Sequence, residues 1–275
     1  MTGRWFRFAV ATLLGRRRGW FIPYRYAGDV DEATASYPAV AARFTAARPA
    51  FDQVLDWIGT YAVDLARIGG EPPPAPRWRQ DWFPFLDAAA AYALVRALRP
   101  RRVVEIGSGH STRFLARAVA DGGLATRITA IDPAPRAPLG GLDIEHLARP
   151  LAEVGDRAVA DLGPGDFLIV DSSHVLMPGS DVDLVINHLL PALPAGALVH
   201  FHDMLLPEPY PAAWRWRGYN EQAAVAALIA TGAWRARWSS AVVRREWPRR
   251  VAALGLDALD HPARYRETSL WLEKP

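Results

Sequence analysis

The sequence predicts an α/β fold built on a doubly wound, mostly parallel sheet of about seven strands, and three observations predict it. Short apolar runs recur through the second half of the chain with helical stretches between them, the alternation that such a sheet requires. One run, V-V-E-I at residues 103–106, passes straight into the turn G-S-G-H-S-T and a helix start. Another, I-T-A-I, ends in Asp132 about one βα unit later. A buried strand that opens through glycines into a helix brings backbone N–H groups against a ligand. An acid at the tip of the next strand suits a ribose diol. The pair therefore points to a nucleoside-type cofactor.

The elements follow in chain order. At the N-terminus Arg4, Arg7, Arg16, Arg17, Arg18 and Arg25 crowd among Trp5, Phe6, Phe8, Trp20 and Phe21. This pattern suits a surface helix in peripheral contact with anionic lipid, or an accessory helix packed on its own domain or on a second subunit of a homo-oligomer. The apolar stretch at residues 8–14 is too short to span a bilayer and its main basic cluster follows it, so no spanning helix or cleaved signal is expected. Residues 37–68 carry Phe44, Phe51, Leu55, Ile58, Ala62 and Leu65 at helical spacing. The run G-G-E-P-P-P-A-P that follows fits no helix or central strand. It divides residues 1–76, a helical region with a Pro-rich linker, from a domain at 77–275.

A further helix at 85–98 stops before Pro100 and adds a layer to the sheet. Strands are expected at 102–106, 127–131, 143–147, 166–170 and 197–201, with helices at 111–120 and 183–190 among them. The strand-like segments 237–243 and 268–273 flank a long excursion at 244–266 and supply a closing antiparallel pair.

Composition narrows the classes. The chain has 275 residues, 51% hydrophobic and 22% charged, as in a globular protein. It has no cysteine, which excludes disulfides, thiolate metal sites and thiol nucleophiles and fits a reducing, cytoplasmic setting. The formal charge is +3 and Lys274 is the only lysine. This arginine bias reads as genome composition rather than a polyanion-binding face, so no nucleic acid is expected as a partner.

The glycine turn discriminates among cofactors. A dinucleotide fingerprint needs a third glycine, and here Thr112 stands in its place. Glu105 precedes the first glycine by two residues, where a pyrophosphate loop has no use for a negative charge. A carboxylate there suits a cationic ligand or a network that holds the loop. The string E-x-G-x-G after a strand resembles motif I of the class I S-adenosylmethionine-dependent methyltransferases, and Asp132 falls where their ribose-binding acid lies. The ordered set V-E-I-G-S-G-H-S-T, V-D-S-S-H, G-S-D-V-D, H-F-H-D-M-L-L-P-E-P-Y-P and Y-N-E-Q is similar to a bacterial subgroup of that family across residues 78–275, and more weakly at F-I-P-Y-R-Y, residues 21–26. The resemblance implies a Rossmann-like fold, S-adenosylmethionine as cofactor, and cofactor contacts from Glu105, Gly107, Ser108, Gly109, His110, Ser111, Asp132, Asp171 and Ser172.

In an open α/β sheet, ligands sit beyond the carboxyl ends of the strands. The fourth strand ends in Asp171, Ser172, Ser173 and His174, and the fifth in His200, His202 and Asp203. Carboxylates and neutral imidazoles are good ligands for Mg2+ or another divalent cation. Cation-dependent O-methyltransferases of the class I fold carry acids at these two strand ends, which Asp171 and Asp203 match, while His202-Asp203 departs from their Asp-Asn pair. Three roles stay open for this group: a metal site of Asp171, Asp203 and His202, turn capping with ordinary hydrogen bonds, or metal-free acid/base catalysis. His174 is the leading candidate for a general base, since a neutral imidazole with a pKa of about 6.5 takes a proton near neutrality. His202 comes next, with Asp203 beside it, whereas His200 reads as a core residue.

The proline- and aromatic-rich segment at 205–222 suggests a lid over an acceptor, with Asn220 and Glu221 opening the next helix as caps or substrate contacts. Asp81, Trp82 and Asp87 are expected to approach the site from the helical region. The expected activity is O-methylation of a small-molecule or glycan hydroxyl. Alternatives are a nicotinamide-dependent oxidoreductase, which the single lysine deprives of a Tyr-x-x-x-Lys pair; a metallohydrolase, for which only His261 remains downstream; and a non-catalytic cofactor-binding or interaction protein.

Overall fold

The computed structural model describes residues 2–16, 18–20, 22, 24–30, 36–256, 259 and 266–275. Arg17, Phe21, Pro23 and His261 of the sequence reading lie outside them. The chain forms two compact units, Met1–Ala35 and Ser36–Pro275. The first holds helix α1, Thr2–Leu13, and one tight turn, Ala27–Asp29. Every residue of this unit whose burial is described is exposed or half-buried.

The second unit opens with α2, Pro38–Ala46, α3, Arg48–Thr60, and α4, Ala62–Ala66. Proline in the first turn of α2 and of α3 starts each helix, where the missing N–H costs nothing. Their apolar stripe buries Val40, Phe44, Phe51, Leu55, Ile58 and Leu65. Phe51 lies edge-on to Trp238 and Trp247 of the C-terminal part. These helices are thus core of the same unit as the sheet. The division expected at residue 76 falls instead after Ala35, because the proline run joins two layers of one body.

Helix α5, Phe85–Leu98, is buried all round through Val95, as its apolar composition on every face requires. Alanines 88–91 and Ala93 let it approach α3 and α6, His110–Asp121, closely. Its one acid, Asp87, is fully buried and accepts hydrogen bonds from the backbone N–H groups of Thr268 and Ser269 at 2.9 Å each.

The sheet comprises β1 Arg102–Ile106, β2 Arg127–Ile131, β3 Glu145–Leu147, β4 Phe167–Val170, β5 Leu198–Phe201, β6 Arg235–Ser239 and β7 Leu270–Glu273. Their order is β3-β2-β1-β4-β5-β7-β6, with β7 antiparallel to both neighbours and the other pairings parallel. The remaining helices are α7 Leu151–Val154, α8 Asp181–Leu184, α9 Leu190–Ala192, α10 Glu221–Ala230, α11 Ser240–Glu246 and α12 Pro248–Ala253. Two expectations change. The strand expected to run to residue 243 stops at Ser239, whose hydroxyl accepts from Val242 N at 3.4 Å and caps α11. The helix expected at 183–190 is α8 and α9 joined by a wider turn of helix, Val185–Leu189. No helix separates β2 from β3, and a groove of about 370 Å³ remains on that face, lined among others by Arg127, Thr129, Glu145 and Leu147.

Register positions the site. Ile106 pairs with Ile131 on one side and Val170 on the other, and Val170 pairs with Phe201. The next residues, Gly107, Asp132, Asp171 and His202, therefore emerge in one row at the carboxyl edge. Replacing Asp87 by Ala orphans two buried N–H groups at the start of β7 and should lower the unfolding free energy by about 3 kcal/mol. Urea unfolding checks this, with Asp87→Asn, which keeps an acceptor oxygen, losing less.

Candidate active site

The turn after β1 is fixed by its own polar side chains. Gly107 has φ +78°, and a Cβ there would lie 1.9 Å from the carbonyl oxygen of Asp171. Only glycine lets the loop lie against the end of β4. Glu105, fully buried, accepts from the hydroxyls of Ser111 and Thr112 at 2.5 Å each, and Gly109 N donates to Thr112 Oγ1 at 2.9 Å. Burial pushes the Glu105 carboxyl up to about 8 against those two hydrogen bonds. Of the two roles open to Glu105, this arrangement is the network that holds the loop. Asp132 accepts from Ser108 N at 2.7 Å and Ser108 Oγ at 3.1 Å, and from Ala134 N at 2.8 Å. The acid and the glycine bend are in direct contact. His110 begins α6 beneath Trp82, ring planes 2° apart and centroids 5.4 Å apart, with a buried Nδ1 that has no partner. Burial, with Arg113 and Arg77 nearby, pushes it down to about 4, so its ring is neutral.

At the tips of β4 and β5 the structure gathers Asp171, His174, His202 and Asp203. His174 Nδ1 lies 2.9 Å from Glu221 Oε2, and its Nε2 lies 3.2 Å from Asp171 Oδ1 and 3.7 Å from Asp203 Oδ2. His202 Nδ1 lies 3.5 Å from Asp171 and 3.8 Å from Asp203, and its Nε2 lies 3.5 Å from Asp87. Arg217 Nη1 completes the group, donating to Asp203 Oδ2 at 3.1 Å. His174 and Asp203 both hold left-handed backbone, φ 59° and 53°, a conformation costing roughly 1–3 kcal/mol per residue that surrounding contacts must impose. For His174 the contacts are visible: the first N–H groups at α10, Asn220 N and Glu221 N, donate to its carbonyl at 3.1 and 3.3 Å.

These contacts set the charges. Burial alone would lower His174, but hydrogen bonds to Asp171 and Glu221 outweigh it and push the imidazole up to about 10. His202 is likewise raised, burial being overcome by Asp171 and Asp87. Asp171 is held well below the usual carboxylate range because the two imidazoles outweigh its desolvation. The neutral imidazole base expected at His174 is thus an imidazolium at neutral pH, with both N–H groups directed at carboxylates. The divalent cation expected at Asp171, Asp203 and His202 does not fit. Asp171 and Asp203 are instead engaged by the side chains of His174, His202 and Arg217. Among the described residues no three His, Asp or Glu side chains are set to hold a metal ion.

The structure places the other candidates unevenly. His200 is buried beside Ser269 Oγ at 2.8 Å. Ser172 Oγ is buried without a partner next to the row. Trp82 and Asp87 reach the loop and the cluster as expected, whereas Asp81 is exposed. Asn220 makes no cap; its amide pairs with the backbone N–H and carbonyl of Leu176 and ties the His174 turn to α10. Three contributors were not singled out in the sequence: Arg217, Tyr219, whose ring lies 4.6 Å from His174, and Thr268, 3.3 Å from His202 Nε2. Arg217 and Tyr219 were detectable only as part of the aromatic lid segment. Thr268 carries no signal, since its place depends on β7.

Two outcomes check this geometry. Gly107→Ala, with its Cβ inside Asp171 and a disfavoured φ, should cost about 3 kcal/mol of stability and weaken binding of S-adenosylhomocysteine at least tenfold, read by calorimetry. His174 has a folded value above its ordinary 6.5, so its contribution to stability is complete below pH 6.5 and is lost as pH rises toward about 10. Urea unfolding across that window should show the decline, and His174→Asn should flatten it.

Among solved structures the chain is similar to a putative O-methyltransferase from Klebsiella pneumoniae, with 16% identity, 68% of this chain and 81% of that one covered, and a TM-score of 0.40. It is also similar to an SAH-bound O-methyltransferase from Bacillus cereus, with 16% identity, 77% and 87% coverage and a TM-score of 0.38. A third is an SAH-bound methyltransferase from Podospora anserina, with 14% identity, 94% and 99% coverage and a TM-score of 0.39. No protein of curated function matches the chain. Residues 104–204, from β1 to just past Asp203, match the family model described as Methyltransferase domain.

Proposed function

We propose that this chain is an S-adenosylmethionine-dependent methyltransferase acting on a hydroxyl of a small molecule or glycan. One observation carries the reading: Gly107 packs directly on Asp171, so the nucleoside-type loop and the acid–imidazole cluster share one wall. The methyltransferase-domain match over residues 104–204 supports it. The backbone near Gly107 and the carboxylate of Asp132 are suited to hold the cofactor. Residues at the ends of β4 and β5 are suited to receive the acceptor.

Bound cofactor supplies an electrophilic methyl group on a sulfonium. With it bound, the acceptor oxygen would take the methyl group as the carbon–sulfur bond breaks with its electron pair kept by sulfur, and the hydroxyl proton would leave to a residue of this chain. Such a displacement demands alignment above all. The oxygen becomes strongly acidic as the new bond forms, so a carboxylate suffices as acceptor of the proton. In this reading Asp171 or Asp203 takes it, and the His174 imidazolium, held by Glu221, positions both. The role first read for His174 thereby passes to the carboxylates at neutral pH.

Calorimetric titration with S-adenosylhomocysteine tests the reading. Binding is expected, with Asp132→Ala weakening it about tenfold, the equivalent of about 1.4 kcal/mol; absence of binding in the unaltered protein would end the proposal. Once an acceptor is found, Glu221→Gln should lower kcat by at least tenfold with cofactor affinity unchanged. A chelator should leave turnover unaltered.

A further inference from the structure

We propose that the N-terminal unit, independently of methyl transfer, lays α1 and the segment after it on a bilayer surface carrying anionic lipid headgroups. Phe6, Val10, Leu13 and Leu14 recur at i, i+4, i+7 and i+8 and form one stripe. That stripe is exposed: Phe6 at 66%, Leu13 at 79% and Leu14 at 77%. Trp20, Ile22, Tyr24 and Tyr26 continue the exposed apolar surface beyond the helix. Large apolar side chains repeated on one exposed helix face mark an interaction surface rather than ordinary scatter of apolar residues.

Charge selects the occupant. Arg4, Arg7, Arg16, Arg17, Arg18 and Arg25 precede the first acid, Asp29, and the described Arg7, Arg16, Arg18 and Arg25 are exposed. Two copies of this segment meeting face to face would bring like charges together across a symmetric contact. An anionic bilayer instead takes the apolar stripe into its acyl boundary and the guanidinium groups onto phosphates, with tryptophan and tyrosine at headgroup level. Among the described residues no helix is long and apolar enough to cross a membrane, so the contact lies in the interface plane.

Co-sedimentation of the full chain with phosphatidylcholine vesicles, with and without phosphatidylglycerol, tests this. Binding to the phosphatidylglycerol vesicles alone is expected, weakening as salt is raised. The double variant Phe6→Asp/Leu13→Asp and the double variant Arg16→Glu/Arg18→Glu should each reduce binding at least tenfold while keeping the native circular dichroism and S-adenosylhomocysteine affinity. Equal binding to both vesicle types, or binding untouched by either variant, would overturn the proposal. So would a dimer in size-exclusion chromatography that the Phe6/Leu13 variant abolishes while vesicles capture nothing.

Discussion

The row of paired residues Ile131, Ile106, Val170 and Phe201 is the constraint on which the rest depends. Parallel pairing gives each strand one register, and a slip of one residue would exchange the two faces of a strand. Because four strands end level, their next residues share an edge. Asp132, the glycine bend, the Asp171 carboxylate and the His202 imidazole become neighbours through the pairing of the strands that carry them. The contact between Gly107 and the carbonyl of Asp171 then joins the glycine loop and the acid cluster into a single surface.

That edge concentrates charge in a place where water is scarce. Asp87, Asp171, Asp203 and Glu221 stand against His174, His202 and Arg217, and removing any partner leaves a poorly solvated charge facing no opposite. The cluster is consequently braced from several directions. Asp87 arrives on α5, Glu221 on α10 and Arg217 from the loop before α10, where its guanidinium also lies 4.2 Å over Trp214 and 5.2 Å over Tyr219. The left-handed backbone at His174 and Asp203 is a cost that these braces offset.

Much of this was legible in the sequence, for physical reasons that differ by element. Strands β1 and β2 and helix α5 match their expected limits because periodicity, glycine and proline mark both of their ends. The loop residues Glu105 to Ser111 and Asp132 were legible because a strand–glycine–helix turn constrains residue type at each step. The end of β6 was not, since Trp238 to Val243 reads as continuous apolar strand and only the Ser239 cap turns it into helix. Nor was the unit boundary: a proline run looks like a linker, and the burial of Phe51 against Trp238 joins residues far apart in the chain. Asp87 carried a signal, a lone acid among alanines. Glu221 was read only as a cap or substrate contact at a helix start, and its pairing with His174 was not legible, because an acid there is also accounted for by the helix dipole.

The motif H-F-H-D shows why residue type alone leaves chemistry undetermined. His200 and His202 sit two positions apart with rings 6.0 Å from each other, both inside the protein. Burial and the neighbouring His202 charge push His200 down to about 3, and it settles as a neutral ring beside the Ser269 hydroxyl. His202, with carboxylates of Asp171 and Asp87 on either side, is raised instead. Each imidazole takes the charge its partners can compensate, and those partners come from β4, α5 and the approach to β7. A histidine motif therefore marks a strand end, while the elements packed around it decide which ring carries a proton.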